Sequence, residues 1–146
     1  NFEKIFKALE ESNVKAKQGI FYNGQIFDAY RFLSDLIKTA DNSIIVIDNY
    51  VDENVLTVLL KRRSNVKAEI YTKKLSKQFT LDLKKHNEQY PEVIVEQFTS
   101  SHDRFMIIDK KEIYHFGASF KDLGKKWFVF SKLDMPVEDI LARLKQ

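Results

Sequence analysis

Between Ser101 and Asp109 the chain reads Ser-His-Asp-Arg-Phe-Met-Ile-Ile-Asp, and Gly117-Ala118-Ser119-Phe120-Lys121 follows after a second apolar run. His102 and Arg104 stand two residues apart at the head of a hydrophobic stretch. Alternate residues of a strand face the same side, so the spacing predicts an imidazole and a guanidinium side by side. Histidine serves as nucleophile or as general acid–base near neutral pH. The planar fork of Arg104 suits a phosphoryl group that gains or loses charge. Gly117, Ser119 and Lys121, at the end of a strand from Glu112 to Phe116, would bring backbone, hydroxyl and ammonium donors to the same place. Asp48 and Tyr50, at the end of a buried strand, should abut them. The chemistry implied is phosphodiester transfer in which histidine attacks phosphorus while cations and donors hold the non-bridging oxygens. It calls for no metal ion and no cofactor. Blander uses stay open: His102 as a surface residue, His115 as a hydrogen-bonded core histidine, His86 on a solvated helix face, and Trp127 in the core.

The elements that must position these residues can be read along the chain. Phe2, Ile5, Phe6 and Leu9 form one stripe of an amphipathic helix, and the polar run from Ser12 to Gly19 reads as a linker. Gly19 to Phe27 alternates around Asn23-Gly24, which suggests a short hairpin or an opening strand. Asp28 is expected to cap a helix from about Ala29 to Ala40 that buries Tyr30, Leu33, Leu36 and Ile37. Ser43 to Tyr50 opens with a continuous apolar run, the mark of a strand covered on both faces. It ends in Asp48-Asn49-Tyr50, and the carboxyl ends of such strands are where ligands bind in open α/β sheets. Asp52 should cap a helix through Val55, Leu56, Leu59 and Leu60. Val66 to Tyr71 is a strand, Ser76 to Tyr90 a helix with Phe79, Leu83 and Tyr90 inward, and Val93 to Phe98 a fourth strand. The Arg104 to Ser119 hairpin adds an antiparallel element. Trp127 to Phe130 is a last strand, and Val137 to Leu144, entered through Pro136, a closing helix. Strands alternating with helices predict an α/β fold: a mostly parallel or mixed central sheet flanked by helices on both faces. Residues 1–18 are expected to be an N-terminal helix and linker, the tail of an upstream module, and 19–146 one domain.

Composition narrows the functional class. At 146 residues, 44% hydrophobic and 31% charged, the chain has the balance of a globular domain with a sizeable core. It has no cysteine, which excludes disulfides and thiolate metal sites and fits a reducing, cytoplasmic setting. No apolar run approaches the roughly 20 residues of a membrane span, so a membrane is not an expected partner. Net charge is only +3, but Lys61, Arg62, Arg63, Lys67, Lys73, Lys74, Lys77, Lys84 and Lys85 face only Glu69 and Asp82 between positions 61 and 85. That segment carries +7 and leaves −4 for the rest. Such clustering favours a polyanionic partner, nucleic acid first, although a solvated helix face would look the same.

His102, Asp109, Gly117 and Ser119 together resemble the signature of the phospholipase D superfamily, H-x-K-x4-D followed by a Gly-Ser segment. The resemblance runs from about Ile20 to Lys132, and it implies an α/β fold of the kind just described. It departs from the pattern at two positions: Arg104 stands in place of lysine, and Lys121 in place of asparagine. Family sites use two copies of the motif, one histidine as nucleophile and the other protonating the leaving oxygen. With one copy, this chain is expected to form a two-fold homodimer that pairs His102 with His102. Arg104, Ser119 and Lys121 would hold phosphoryl oxygens, and Asp109 would orient. The implied activity is that of a phosphodiesterase, in particular a nuclease working through a phosphohistidine. The chain also resembles bacterial proteins in which such a domain follows a phage-type DNA-binding module of the KilA-N kind. The rival expectation is a module that dimerises and binds nucleic acid or phosphate without turnover; a third is a domain that only dimerises its upstream partner.

Overall fold

The computed structural model describes residues 17–145. The stripe Phe2, Ile5, Phe6 and Leu9, and all but the last two residues of the expected segment 1–18, lie outside the described residues. Seven strands and four helices follow in the order β1 (Gln18–Phe21), α1 (Ile26–Lys38), β2 (Ser43–Ile47), α2 (Glu53–Leu59), β3 (Lys67–Thr72), α3 (Lys77–Gln89), β4 (Val93–Gln97), β5 (Arg104–Ile108), β6 (Glu112–Phe116), β7 (Phe128–Leu133) and α4 (Glu138–Leu144). They build one mixed sheet of order β1-β7-β6-β5-β2-β3-β4. β2, β3 and β4 are parallel and joined by helices, whereas β5, β6, β7 and β1 pair antiparallel.

After Ser43, β2 carries no polar position because both of its faces are covered. Ile44 and Val46 join a large core with Phe32, Leu36 and Ile37 of α1, Val55 and Leu59 of α2 and Phe79 of α3. Ile45 and Ile47 join a smaller core with Ile107, Ile113, Val137 and Leu144. Three helices therefore cover one face, and short α4 covers only the middle of the other. Among the described residues no helix is long and apolar enough to cross a membrane.

Asp52 caps α2 as expected, accepting from the Asn54 N–H at 3.0 Å, and Ser76 caps α3 in the same way, accepting from the Phe79 N–H at 3.0 Å. The start of α1 differs. It begins three residues before Ala29, and Asp28 lies buried in its first turn, accepting from Gln25 Nε2 at 3.1 Å. The Gln25 side chain closes the preceding turn instead, accepting from the Tyr22 N–H at 2.6 Å. Tyr30 is exposed, because Ala29, Phe32, Leu33, Leu36 and Ile37 already fill the buried stripe. Tyr90 is also exposed, lying past the end of α3, and His86 is half-buried, its Nδ1 2.8 Å from Asn87 Oδ1. Trp127 is not core. It precedes β7 and is 68% exposed, while Phe128 and Phe130 fill the interior.

Candidate active site

Strand directions decide what meets what. The ends of β2, β3, β6 and β1 and the starts of β5 and β7 share one edge of the sheet. Asp48, the segment after Gly117, Arg104 and His102 therefore converge there, and the Asp48–Phe120 contact joins residues 72 positions apart.

Asp48 is fully buried and is the hub of this edge. One carboxylate oxygen accepts from the Tyr50 N–H at 3.0 Å; the other accepts from the Phe120 N–H at 2.7 Å and lies 2.8 Å from Ser119 Oγ. Burial pushes the carboxyl above its ordinary pKa, and the Tyr50, Phe120 and Ser119 donors and the Arg104 charge pull the other way. The Ser119 hydroxyl is buried and also lies 2.9 Å from the Tyr50 carbonyl. It thus works as a bolt between the β2–α2 and β6–β7 loops. The Tyr50 ring is exposed, and its contribution to the bolt is its backbone.

Arg104 opens β5 and is half-buried. Its Nη2 donates to the Gly117 carbonyl at 2.6 Å. Its Nε is buried without a hydrogen-bond partner among the described residues. Gly117 suits a close approach: a Cβ there would stand 3.3 Å from the Val129 carbonyl oxygen, a tight contact, and that oxygen accepts from the Gly117 N–H at 2.8 Å.

His102 lies in a bend just before β5 rather than on the strand, and is exposed. Strand pleat therefore does not set its direction; the loop does. Two groups that the spacing did not flag hold that loop. Asn49 Nδ2 donates to the Ser101 carbonyl at 2.8 Å. His115, on β6 opposite Phe105, places Nε2 3.3 Å from Asp103 Oδ2. His115 is thus neither free nor fully core. Its only sequence signal was its place two residues before Gly117.

Asp109 does not join the others. It lies at the far end of β5, about 16 Å from Arg104 at the rise of a strand. Asp109 and Lys110, at φ 56° and 55°, form the turn between β5 and β6. The Asp109 carboxylate accepts from the backbone N–H groups of Asp41, Asn42 and Ser43 at 2.6 to 3.1 Å. Burial pushes its pKa up, but those three donors and Lys111 outweigh burial and hold it below the ordinary value. Lys121 is exposed beside the bolt, with Nζ 3.9 Å from Asp122.

The basic segment also divides in space. Lys73, Lys74 and Lys77 follow β3 at the site edge, whereas Lys61, Arg62 and Arg63 precede it and Lys67 opens it at the opposite edge. Arg62 is occupied structurally, donating to the Val66, Leu59 and Pro91 carbonyls at 2.9 to 3.0 Å. Arg63 pairs with Asp41 at 2.7 Å. Among the described residues no group of three or more His, Asp or Glu side chains could hold a metal ion.

The sequence matches no family model, and no curated protein matches it. Solved structures do match. Nuc from Salmonella typhimurium, a phospholipase D family member, aligns over 88% of this chain and 91% of its own with a TM-score of 0.62 and 15% identity. The fold is that of the phospholipase D family. NucT from Helicobacter pylori aligns over the same shares, with a TM-score of 0.60 and 19% identity. The archaeal chromatin protein TrmBL2 shares the fold over 99% of this chain and 57% of its own, at a TM-score of 0.55 and 12% identity. At these identities the phospholipase D fold is what the chain shares with them.

Proposed function

We propose that the chain is a metal-independent phosphodiesterase acting on nucleic acid through His102, at a site completed by a second copy. The observation that carries this reading is one sheet edge: exposed His102 stands two residues from half-buried Arg104, whose guanidinium is held against the Gly117 carbonyl at the end of β6. The Asp48–Ser119 bolt holds the surrounding loops in place. Nuc of the phospholipase D family and NucT, built on the same fold, support the reading.

In the reaction, the His102 imidazole attacks phosphorus, forming an N–P bond as the P–O bond to the leaving group breaks. His102 of the second copy protonates the leaving oxygen. That same imidazole then takes a proton from water, which attacks phosphorus and frees the first His102. Arg104 holds non-bridging oxygens through both steps, with Lys121 beside it. Lys73, Lys74 and Lys77 extend positive charge along the same edge. An upstream DNA-binding module would deliver the domain to its polymer. The test is cleavage of DNA or RNA in EDTA: His102→Ala abolishes it, and activity surviving in that variant refutes the histidine mechanism.

A second reading has its own support. Arg104 is already tied to the Gly117 carbonyl, and TrmBL2, an archaeal chromatin protein with a novel mode of DNA binding, carries this fold. The domain would then bind nucleic acid without turnover. Arg104→Lys separates the two: if neither parent nor variant cuts any phosphodiester while both bind with steep salt dependence, the binding reading holds.

A further inference from the structure

At the β1 end of the site edge stands an aromatic pair that the proposed chemistry does not use. Tyr22 follows β1 and Trp127 precedes β7, and the pairing of Phe21 with Phe128 brings them opposite each other. Their rings meet edge to face, 4.8 Å apart at 88°. Trp127 is nevertheless 68% exposed and Tyr22 47%. A large indole left in water while phenylalanines fill the adjacent core invites a partner with a flat apolar face.

The pair is also held in position. The Gly24 N–H donates to the Gly124 carbonyl at 3.1 Å, tying the Tyr22 loop to the Trp127 loop. Gly124 has φ 85°, and a Cβ there would come within 2.5 Å of Ile26 Cα, so the two loops are pressed together. Lys121, Lys125 and Lys126 stand on the approach against Asp122, which Lys125 contacts at 3.3 Å. That stretch has a net charge of +2. β7 lies two strands from β5, so Trp127 is about 10 Å from the line of Arg104 and His102. About three nucleotides span that distance at the 3.4 Å rise of a stacked strand.

We propose that Trp127 and Tyr22 form a stacking subsite for a nucleobase flanking the phosphate held at Arg104, which makes single-stranded nucleic acid the substrate class. The subsite rests on the nucleic-acid reading of the site. Its chemistry is that of single-strand binders, which combine aromatic faces for bases with cations along the backbone. Duplex bases are stacked on one another and offer the indole no free face.

Trp127 is the chain's single tryptophan, so its fluorescence reports the subsite directly. The experiment titrates the His102→Ala chain, which leaves strands uncut, with a single-stranded oligodeoxynucleotide, its fully abasic analogue and a duplex. The single strand should quench Trp127, and the abasic analogue should bind without quenching. Trp127→Ala should weaken single-strand binding by roughly 5- to 150-fold and leave abasic affinity unchanged, with Trp127→Phe recovering most of the loss. Tyr22→Ala should weaken the same ligand to a smaller degree. Equal affinity for base-bearing and abasic strands, or unchanged affinity in Trp127→Ala, overturns the subsite while leaving the site reading intact. If Trp127→Ala instead turns a dimer into a monomer in sedimentation, the pair is an interface between copies and the subsite is overturned. Failure of all three ligands to bind overturns both readings.

Discussion

Removing the Asp109 carboxylate should cost stability and spare chemistry, although Asp109 belongs to the histidine motif by spacing. In the structure it accepts from three backbone N–H groups of the α1–β2 loop at the edge away from His102. A bond to a charged acceptor contributes about 1.5–3 kcal/mol, but Asp41 and Asn42 are exposed and water replaces part of the loss, so about 2–3 kcal/mol in total is expected. Asp109→Gly isolates that loss, because glycine accepts the φ of 56° freely. Asp109→Ala adds about 1 kcal/mol for a Cβ in the left-handed region. At about 2–4 °C per kcal/mol for a chain of this size, Asp109→Gly should melt roughly 4–12 °C lower. The cost should also depend on pH. The folded pKa of Asp109 is lowered, so its contribution is fully present above the unfolded carboxylate value. It is lost as pH falls through the folded value, and the gap between parent and variant closes in acid. Urea and thermal unfolding at neutral and acidic pH measure this, alongside phosphodiester turnover well below the melting range. A more than tenfold loss of turnover with unchanged unfolding would refute the assignment and return Asp109 to the chemistry.

Two further outcomes follow from the same edge. Ser119→Ala leaves a buried Asp48 oxygen short of one donor, so it should destabilise by about 1–3 kcal/mol at neutral pH. It should also move the Asp48 titration further up. Because that folded pKa is already raised, the contribution of Asp48 falls as pH rises through the window above the unfolded value, and the variant widens the window; an unmoved Asp48 titration by carboxyl NMR would refute the bolt. Replacing Lys73, Lys74 and Lys77 together by alanine should flatten the salt dependence of nucleic-acid binding by about 0.7–0.9 per lysine that meets a phosphate. Arg62→Ala should leave that slope unchanged and lower stability, because its donors are committed to carbonyls.

Much of the fold was legible in local pattern. The apolar run at Ser43, the Asp52 cap and the strand–helix alternation reflect short-range physics, and the structure bears them out. The start of α1 was misread because a glutamine side chain, and not Asp28, closes the turn before it. The +7 segment reads as one cluster only in sequence. A strand carries its two ends to opposite edges of the sheet, so three lysines stand at the site edge and Arg62 becomes a structural brace. Trp127 looked like core by residue type alone, and what exposes it is the pairing of β1 with β7, which fills the interior with Phe21, Phe128 and Phe130.

By itself the sequence determined which residues have the chemistry for a phosphoryl group: His102, Arg104 and the segment from Gly117 to Lys121. Residue type and close spacing are local properties, so they survive without coordinates. Tertiary structure alone decided that Asp48 bolts Ser119, that Asn49 and His115 hold the His102 loop, and that Asp109 works at the other end of its strand. Each of those contacts joins groups on different strands. Only the order and direction of strands in the sheet settle which loop ends meet.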